Sequence, residues 1–363
     1  MEFFYKKTSN KTIKNILNFY NDSNSNLNND SNSNLNNVIN ANYGNSHNYD
    51  DNNDFLNVAE DKIKKFTYHD TVHLVNSGNS AILIAMSYFD GLILIPDQGA
   101  WHGFKQIAKF LNKEIITVKT NLGLIDLDEL NNLLSSNDFK VKNNGKKSSL
   151  FLTSFAGYTA EQNIKEIANI CHEHGVFLVE DASGAIGDGS GKLANGSYSD
   201  IIVASTGSPK MVNFGYGGFI SFNIENLKDI NNIINLNVLY KSFKVTNLIA
   251  LGISSELDLA KDNFNCAVKS SKYLKNNLEN VFHRYHRGVN VILDYNDNLE
   301  YKNDYFQLKN KLKTVEGKSF ITKCPNYNRI KEKGIAIELK NLDIFSLNKN
   351  SLDYILGIIN DLK

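Results

Sequence analysis

The sequence predicts an α/β fold, a mostly parallel sheet sandwiched by helices and followed by a small C-terminal α+β domain. Three observations carry that expectation. Short apolar runs recur at residues 92–95, 115–118, 150–153, 176–179, 201–204 and 219–222. They run without polar alternation, which suits strands covered on both faces by helices. Between two of them Ile164, Ile167, Ala168 and Cys171 fall at helical spacing and give one apolar stripe. After about residue 256 the pattern changes. A helix over about 257–280 is followed by strand-like runs at 289–293, 319–322 and 335–339. A last helix then carries Leu352, Ile355, Leu356 and Ile359. Three parts are expected: an N-terminal segment over 1–55, a large domain over 56–255 and a small domain over 256–363.

Composition narrows the function classes. A chain of 363 residues with 42% hydrophobic content can bury a large core. Lys+Arg and Asp+Glu balance at 39 each, so no global field points to nucleic acid or to an anionic membrane, and small molecules or a second copy of the chain are the expected partners. Three cysteines, far apart and odd in number, argue against a disulfide framework. The start has no apolar core behind a basic patch and no stretch reaches membrane-spanning length, so the cytoplasm is the expected compartment. From about Asn21 to Asp54 the chain is rich in Asn, Ser and Asp, too polar to offset its ordering entropy, and a loop is expected there.

Two residues stand out chemically. Lys210 lies in a stretch from Ser205 to Gly218 with Pro209 before it and glycines at 215, 217 and 218, a context that suggests a fixed turn. Upstream, the apolar run at 176–179 ends in Glu180-Asp181. An amine that forms a Schiff base and a carboxylate that holds a ring nitrogen protonated are what pyridoxal phosphate requires. Ser77-Gly78-Asn79-Ser80 precedes an expected helix, whose free N–H groups and positive end suit a phosphate dianion, with hydroxyls from Ser80 and Ser205. An ordinary N-cap turn is the alternative there. For Asp181 the alternative is a loop-bracing carboxylate, and for Lys210 a solvated lysine.

These stretches resemble the DegT/DnrJ/EryC1/StrS aminotransferase family, among the fold-type I pyridoxal-phosphate enzymes of the aspartate aminotransferase superfamily. The matching residues are Asn76-Ser77-Gly78-Asn79-Ser80-Ala81, then Glu180-Asp181-Ala182-Ser183-Gly184-Ala185-Ile186-Gly187, then Ser205 with Lys210 and Gly215-Tyr216-Gly217-Gly218. The register from Ser205 to Gly218 fits without a gap. The resemblance implies that Lys210 is the Schiff-base lysine and Asp181 the pyridine-nitrogen partner. Ser77, Gly78, Asn79, Ser80, Ser183 and Ser205 then line the cofactor, and Trp101, or His102 after it, stacks on the ring. It also implies a homodimer that takes a small-molecule amino donor and an acceptor.

The chain departs from the family pattern around the substrate side, where the stretch from Pro96 to Trp101 is one residue longer than usual. Gly184 stands where the family usually has His or Gln, and Tyr216 replaces a common Glu. Many fold-type I enzymes hold a substrate carboxylate with an arginine of the C-terminal domain. This chain has three arginines, and Arg329 alone falls between two expected strands of the small domain, where the alternative is a surface hairpin arginine. Tyr158, after the end of an expected strand, suits either a cofactor or substrate contact or a packing role.

Other motifs point less far. Gly187-Asp188-Gly189-Ser190-Gly191-Lys192 fails the Walker spacing and reads as a mobile glycine loop. Cys171, His172 and His174 suit a buried stripe and a helix end, and no metal is expected. Three readings follow: a DegT-like aminotransferase, a lyase or decarboxylase on the same scaffold, and a pyridoxal-phosphate-binding protein without turnover.

Overall fold

A computed structural model describes residues 1–29, 54–225, 227, 234–296 and 300–362. The large sheet has seven strands, β1 (Thr71–Val75), β2 (Ile93–Pro96), β3 (Ile115–Val118), β6 (Ser148–Thr153), β9 (Val176–Asp181), β10 (Ile201–Ser205) and β11 (Gly218–Phe222). Short pairs β4 (Thr120–Asn121) with β5 (Leu124–Ile125), and β7 (Phe155–Ala156) with β8 (Ala160–Glu161), lie between them. The spatial order is β1-β11-β10-β9-β6-β2-β3. The pairings from β10 through β9, β6 and β2 to β3 are parallel, while β11 runs antiparallel to both β10 and β1.

The apolar runs are continuous because each strand feeds two cores. On β6, Leu150 and Leu152 enter one cluster and Phe151 the opposite one. On β10, Ile202 and Ala204 face the first cluster while Ile201 and Val203 face the second. Helix Gly78–Tyr88 covers the second face with Ala81, Ile82, Ala85 and Met86. Helix Ile164–Glu173 covers the first with the stripe Ile164, Ile167, Ala168 and Cys171. Strand β1 was not expected, because Thr71 and His73 interrupt its apolar residues where one side is only half-buried.

A three-stranded antiparallel sheet in the order β12-β14-β13 forms the small domain, from β12 (Val291–Asp294), β13 (Ile321–Cys324) and β14 (Gly334–Ile337). Helix Lys349–Asn360 packs on it through Leu352, Ile355, Ile358 and Ile359. The helix expected over about 257–280 is Ala260–Asn277, and a separate helix, Asn247–Leu257, precedes it.

The N-terminal residues differ most from expectation. Phe3 is buried in the small-domain core, and Lys6 N–H donates to the Asn341 carbonyl at 2.8 Å. Helix Asn10–Asn29 runs into the polar tract expected to be a loop. It is anchored on helix Asn247–Leu257, where Asn15 Nδ2 donates to Ser255 Oγ at 3.0 Å. The rest of that tract lies outside the described residues. The glycine loop after Gly187 is braced rather than free, since both oxygens of Asp188 accept from the Arg287 guanidinium at 2.8 and 2.9 Å.

Candidate active site

Strands β6, β9 and β10 are parallel and end on one edge of the sheet, where ligands of open α/β sheets bind. Asp181 ends β9 and Ser205 ends β10. Lys210 lies in the loop between β10 and β11. The hairpin β7–β8 follows β6 at the same edge and carries Tyr158 at its turn.

The carboxylate is oriented by its own neighbours. Ser183 gives both its backbone N–H, at 3.0 Å, and its hydroxyl, at 2.5 Å, to Asp181 Oδ1. The same hydroxyl accepts from Ser205 N–H at 2.8 Å and so ties the ends of β9 and β10 together. Ser183, expected on the cofactor, is thus first a positioning residue for Asp181. Among the described residues no hydrogen bond goes to Asp181 Oδ2. Glu180, which points to the opposite face, is held by Ser154 Oγ, Ser199 Oγ and Ala194 N–H.

Helix Gly78–Tyr88 begins against this edge. Ser77 caps it, its hydroxyl accepting from Ser80 N–H at 3.1 Å, and Ser80 Oγ donates to Asn76 Oδ1 at 2.5 Å. A Cβ on Gly78 would lie 2.7 Å from Ser205 Cβ, so only glycine lets the helix start reach the end of β10. Asn79 Oδ1 accepts from Trp101 Nε1 at 2.9 Å, and the Trp101 and His102 rings lie 4.3 Å apart. His102 in turn donates its backbone N–H to Asn328 Oδ1 at 2.9 Å. The expected phosphate cradle and both candidate stacking rings therefore belong to one contiguous cluster. Tyr216 is 49% exposed.

Lys210 Nζ donates to the Tyr158 hydroxyl at 3.2 Å. Burial opposes its charge most strongly, yet Tyr158 and Asp181 together raise its pKa above the usual lysine value. Tyr158 is held at φ 66°, next to Gly157 at φ 55°, a left-handed pair that an aromatic residue rarely adopts. Gly157 allows the turn to sit under the small domain, because a Cβ there would lie 2.7 Å from the Arg329 carbonyl oxygen.

Arg329 is a buried residue rather than a surface hairpin arginine, with its side chain only 13% exposed. The turn between β13 and β14 clasps the large domain. Gly99 N–H donates to the Tyr327 carbonyl at 2.8 Å, and Lys331 N–H to Gln98 Oε1 at 2.6 Å. The Arg329 guanidinium lies 5.0 Å from the Tyr158 ring centroid. Its Nε donates to Glu338 Oε1 at 2.6 Å and its Nη1 to the Asn328 carbonyl at 2.7 Å. Burial pushes the Glu338 carboxyl up, but the charges of Arg329 and Lys340 outweigh it and hold the group at about 2. Sequence reasoning missed Lys340, whose Nζ lies 4.6 Å from the same ring centroid, and it missed the N-terminal segment. Lys6 bridges the two domains there, its carbonyl accepting from Ser208 Oγ at 3.4 Å.

The model of the DegT/DnrJ/EryC1/StrS aminotransferase family matches residues 26–286. The chain belongs to this family. It therefore has the fold-type I pyridoxal-phosphate architecture, and the family as a whole is one of aminotransferases. A second model, the MJ1341 family C-terminal domain, matches residues 261–360. Solved structures share the fold at low identity. Serine palmitoyltransferase from Sphingomonas wittichii is 14% identical with a TM-score of 0.65, over 85% of this chain and 75% of that one. A DegT DnrJ EryC1 StrS aminotransferase from Brucella abortus is 13% identical with a TM-score of 0.63, over 85% and 90%. A 3-amino-5-hydroxybenzoic acid synthase is 13% identical with a TM-score of 0.65, over 85% and 90%. No curated protein sequence matches the chain. Among the described residues no helix is long and apolar enough to cross a membrane, and no group of three or more His, Cys, Asp or Glu side chains is placed to hold a metal ion.

Proposed function

We propose that this family member is an aminotransferase that binds pyridoxal 5'-phosphate covalently through Lys210 and moves an amino group between a small-molecule donor and acceptor. The observation that carries the reading is the convergence of Lys210 Nζ, the Tyr158 hydroxyl and Asp181 beside a Ser-Gly helix start at the carboxyl ends of parallel strands. The residues present fit the cofactor. Asp181 has an oxygen not engaged by Ser183, and the Gly78 contact with Ser205 makes a cradle that any Cβ would fill.

When bound, pyridoxal phosphate supplies a carbonyl that condenses with amines and a ring that accepts electrons. The chain's own groups do the rest. The Ser77–Ser80 helix start and Ser205 take the phosphate, where the helix dipole favours an anion. Asp181 would hold the ring nitrogen protonated, with Ser183 orienting its carboxylate. Trp101, or His102 beside it, covers one ring face. Lys210 would hold the cofactor and, as a free amine, would move a proton to and from the substrate α-carbon, with the Tyr158 hydroxyl positioning that amine.

Gly184 lacks the polar side chain the family usually has, and the Tyr158 ring edge stands where a Cβ there would lie, while its hydroxyl meets Lys210 Nζ. A screen of amino donors followed by absorbance tests the reaction class. Conversion of the bound cofactor to its amine form marks an aminotransferase. Release of a small product without that conversion marks a lyase or decarboxylase, and no spectral response to any amine marks a binding protein.

A further inference from the structure

Lys275 carries a buried charge that no carboxylate balances among the described residues. It lies in helix Ala260–Asn277, is 1% exposed, and its Nζ donates to three backbone carbonyls, Thr159 at 2.6 Å, His286 at 2.9 Å and His283 at 3.0 Å. Three acceptors at these distances call for three N–H donors, which the ammonium has and a neutral amine lacks. Burial pushes the pKa down to about 8, so the charged form still prevails at neutral pH. A buried charge without a counter-charge is costly. Convergent carbonyl dipoles offset that cost here, as they do when backbone carbonyls replace the water around potassium.

The cage holds the hairpin that carries Tyr158. Thr159 follows Tyr158 directly, and the segment 283–290, which supplies the other two carbonyls, grips the same turn. Val289 and Asn290 N–H both donate to the Tyr158 carbonyl, at 2.9 and 3.0 Å, and Glu161 N–H donates to the Arg287 carbonyl at 2.8 Å. Gly288 lets the two segments meet, since a Cβ there would lie 2.2 Å from the Thr159 carbonyl oxygen. The turn keeps Tyr158 at φ 66°, a conformation that persists in an aromatic residue only where the surroundings over-determine it. Without the ammonium, three carbonyl oxygens would face one another with no positive charge between them, and the segments would be driven apart. The Tyr158 hydroxyl, 3.2 Å from Lys210 Nζ, would lose its place.

Resting on the reading of Lys210 as the cofactor lysine, we propose that the carbonyls of Thr159, His283 and His286 form a monovalent-cation position that this chain fills with its own Lys275, making Lys275 the positioning residue for Tyr158 at the reacting amine. With the side chain cut back, the cage would take a free cation of ammonium or potassium size.

Lys275→Ala opens the cage, and its thermal melting is compared with that of wild type and Lys275→Met in the chlorides of ammonium, potassium and tetramethylammonium at one ionic strength. Tetramethylammonium is too large to enter. Lys275→Ala should melt lowest in it and regain at least roughly half of its loss in ammonium or potassium, because a ligand of the folded state alone stabilises that state. Wild type, whose cage is full, and Lys275→Met, whose methyl blocks it, should not distinguish the ions. The second readout is uptake of pyridoxal phosphate by Lys210, followed by absorbance and mapped with borohydride. Lys275→Ala in tetramethylammonium should take it up at least about tenfold more slowly than wild type, as loss of the Tyr158 hydrogen bond requires, and ammonium should restore the rate. In a Tyr158→Phe background the same substitution should change uptake little, because the hydroxyl that Lys275 places is already gone. An ion response of Lys275→Ala no different from that of wild type, uptake as fast as wild type, or an undiminished effect in the Tyr158→Phe background would each overturn the proposal. A Lys275→Ala protein that stays unfolded in every salt would overturn it equally, since a cage that accepts a free cation is restored by one. Absence of the Lys210 label in wild type would instead sink the functional reading beneath it and leave the melting comparison to judge the cage.

Discussion

Tyr158 and Gly184 share one volume: a Cβ built on Gly184 would stand 2.8 Å from Tyr158 Cε1. Ring and side chain exclude each other, so the two positions must change together. Gly184→Gln should destabilise the protein by about 1–3 kcal/mol through overpacking, and adding Tyr158→Ala should recover most of that loss in thermal denaturation. Full stability of Gly184→Gln alone would show that the ring moves aside freely.

The Tyr158 hydroxyl has a separable role, because among the described residues it is the hydrogen-bond partner of Lys210 Nζ. Tyr158→Phe keeps the ring and removes that bond. We expect kcat/KM to fall about tenfold or more, equivalent to about 1.4 kcal/mol, with the melting temperature little changed. Unaltered kinetics would confine Tyr158 to packing.

Ser183 orients Asp181 and joins β9 to β10. Ser183→Ala deletes the hydroxyl bond to the carboxylate and leaves Ser205 N–H without its acceptor. Cofactor retention on equilibrium dialysis should weaken by roughly tenfold. An unchanged dissociation constant would contradict the positioning role.

The large sheet was legible because its strands are buried on both faces, which leaves runs such as Leu150, Phe151 and Leu152 without polar interruption. Lys210 and Asp181 were legible because a proline, glycines and a strand end fix them within short stretches of chain. Tyr158 was seen only as a residue after a strand, since its role depends on Gly184, 26 positions later. Lys340 and Lys6 were invisible for a similar reason. Nothing local marks them, and their burial comes from the small domain, the N-terminal segment and the Lys210 loop meeting in space. Arg329 was correctly placed between two strands, but its burial against Glu338 is a long-range contact that strand spacing does not show.

Glu338 gives a pH signature. Its carboxyl is held at about 2 against an ordinary 4.5, so the fold favours the charged form. That stability is present above about pH 4.5 and is lost as the pH falls towards 2, on the order of 3 kcal/mol for a shift of this size. Glu338→Gln should be less stable than wild type at neutral pH, and the gap should close on acidification, in denaturant midpoints measured across that range. A gap independent of pH would show that Glu338 is not the titrating group.

The family resemblance also leads us to expect a two-fold assembly that closes the site from a second subunit. Sedimentation of the cofactor-loaded protein at micromolar concentration should give the mass of a dimer. An active monomer would rule the shared site out.

The most direct test concerns Lys210 itself. Protein purified with pyridoxal phosphate should be yellow, and borohydride reduction followed by peptide mapping should place the cofactor on Lys210. Lys210→Ala should lose the label and turnover while keeping its fold by circular dichroism. A label on any other lysine, or none in wild type, would contradict the account at its centre.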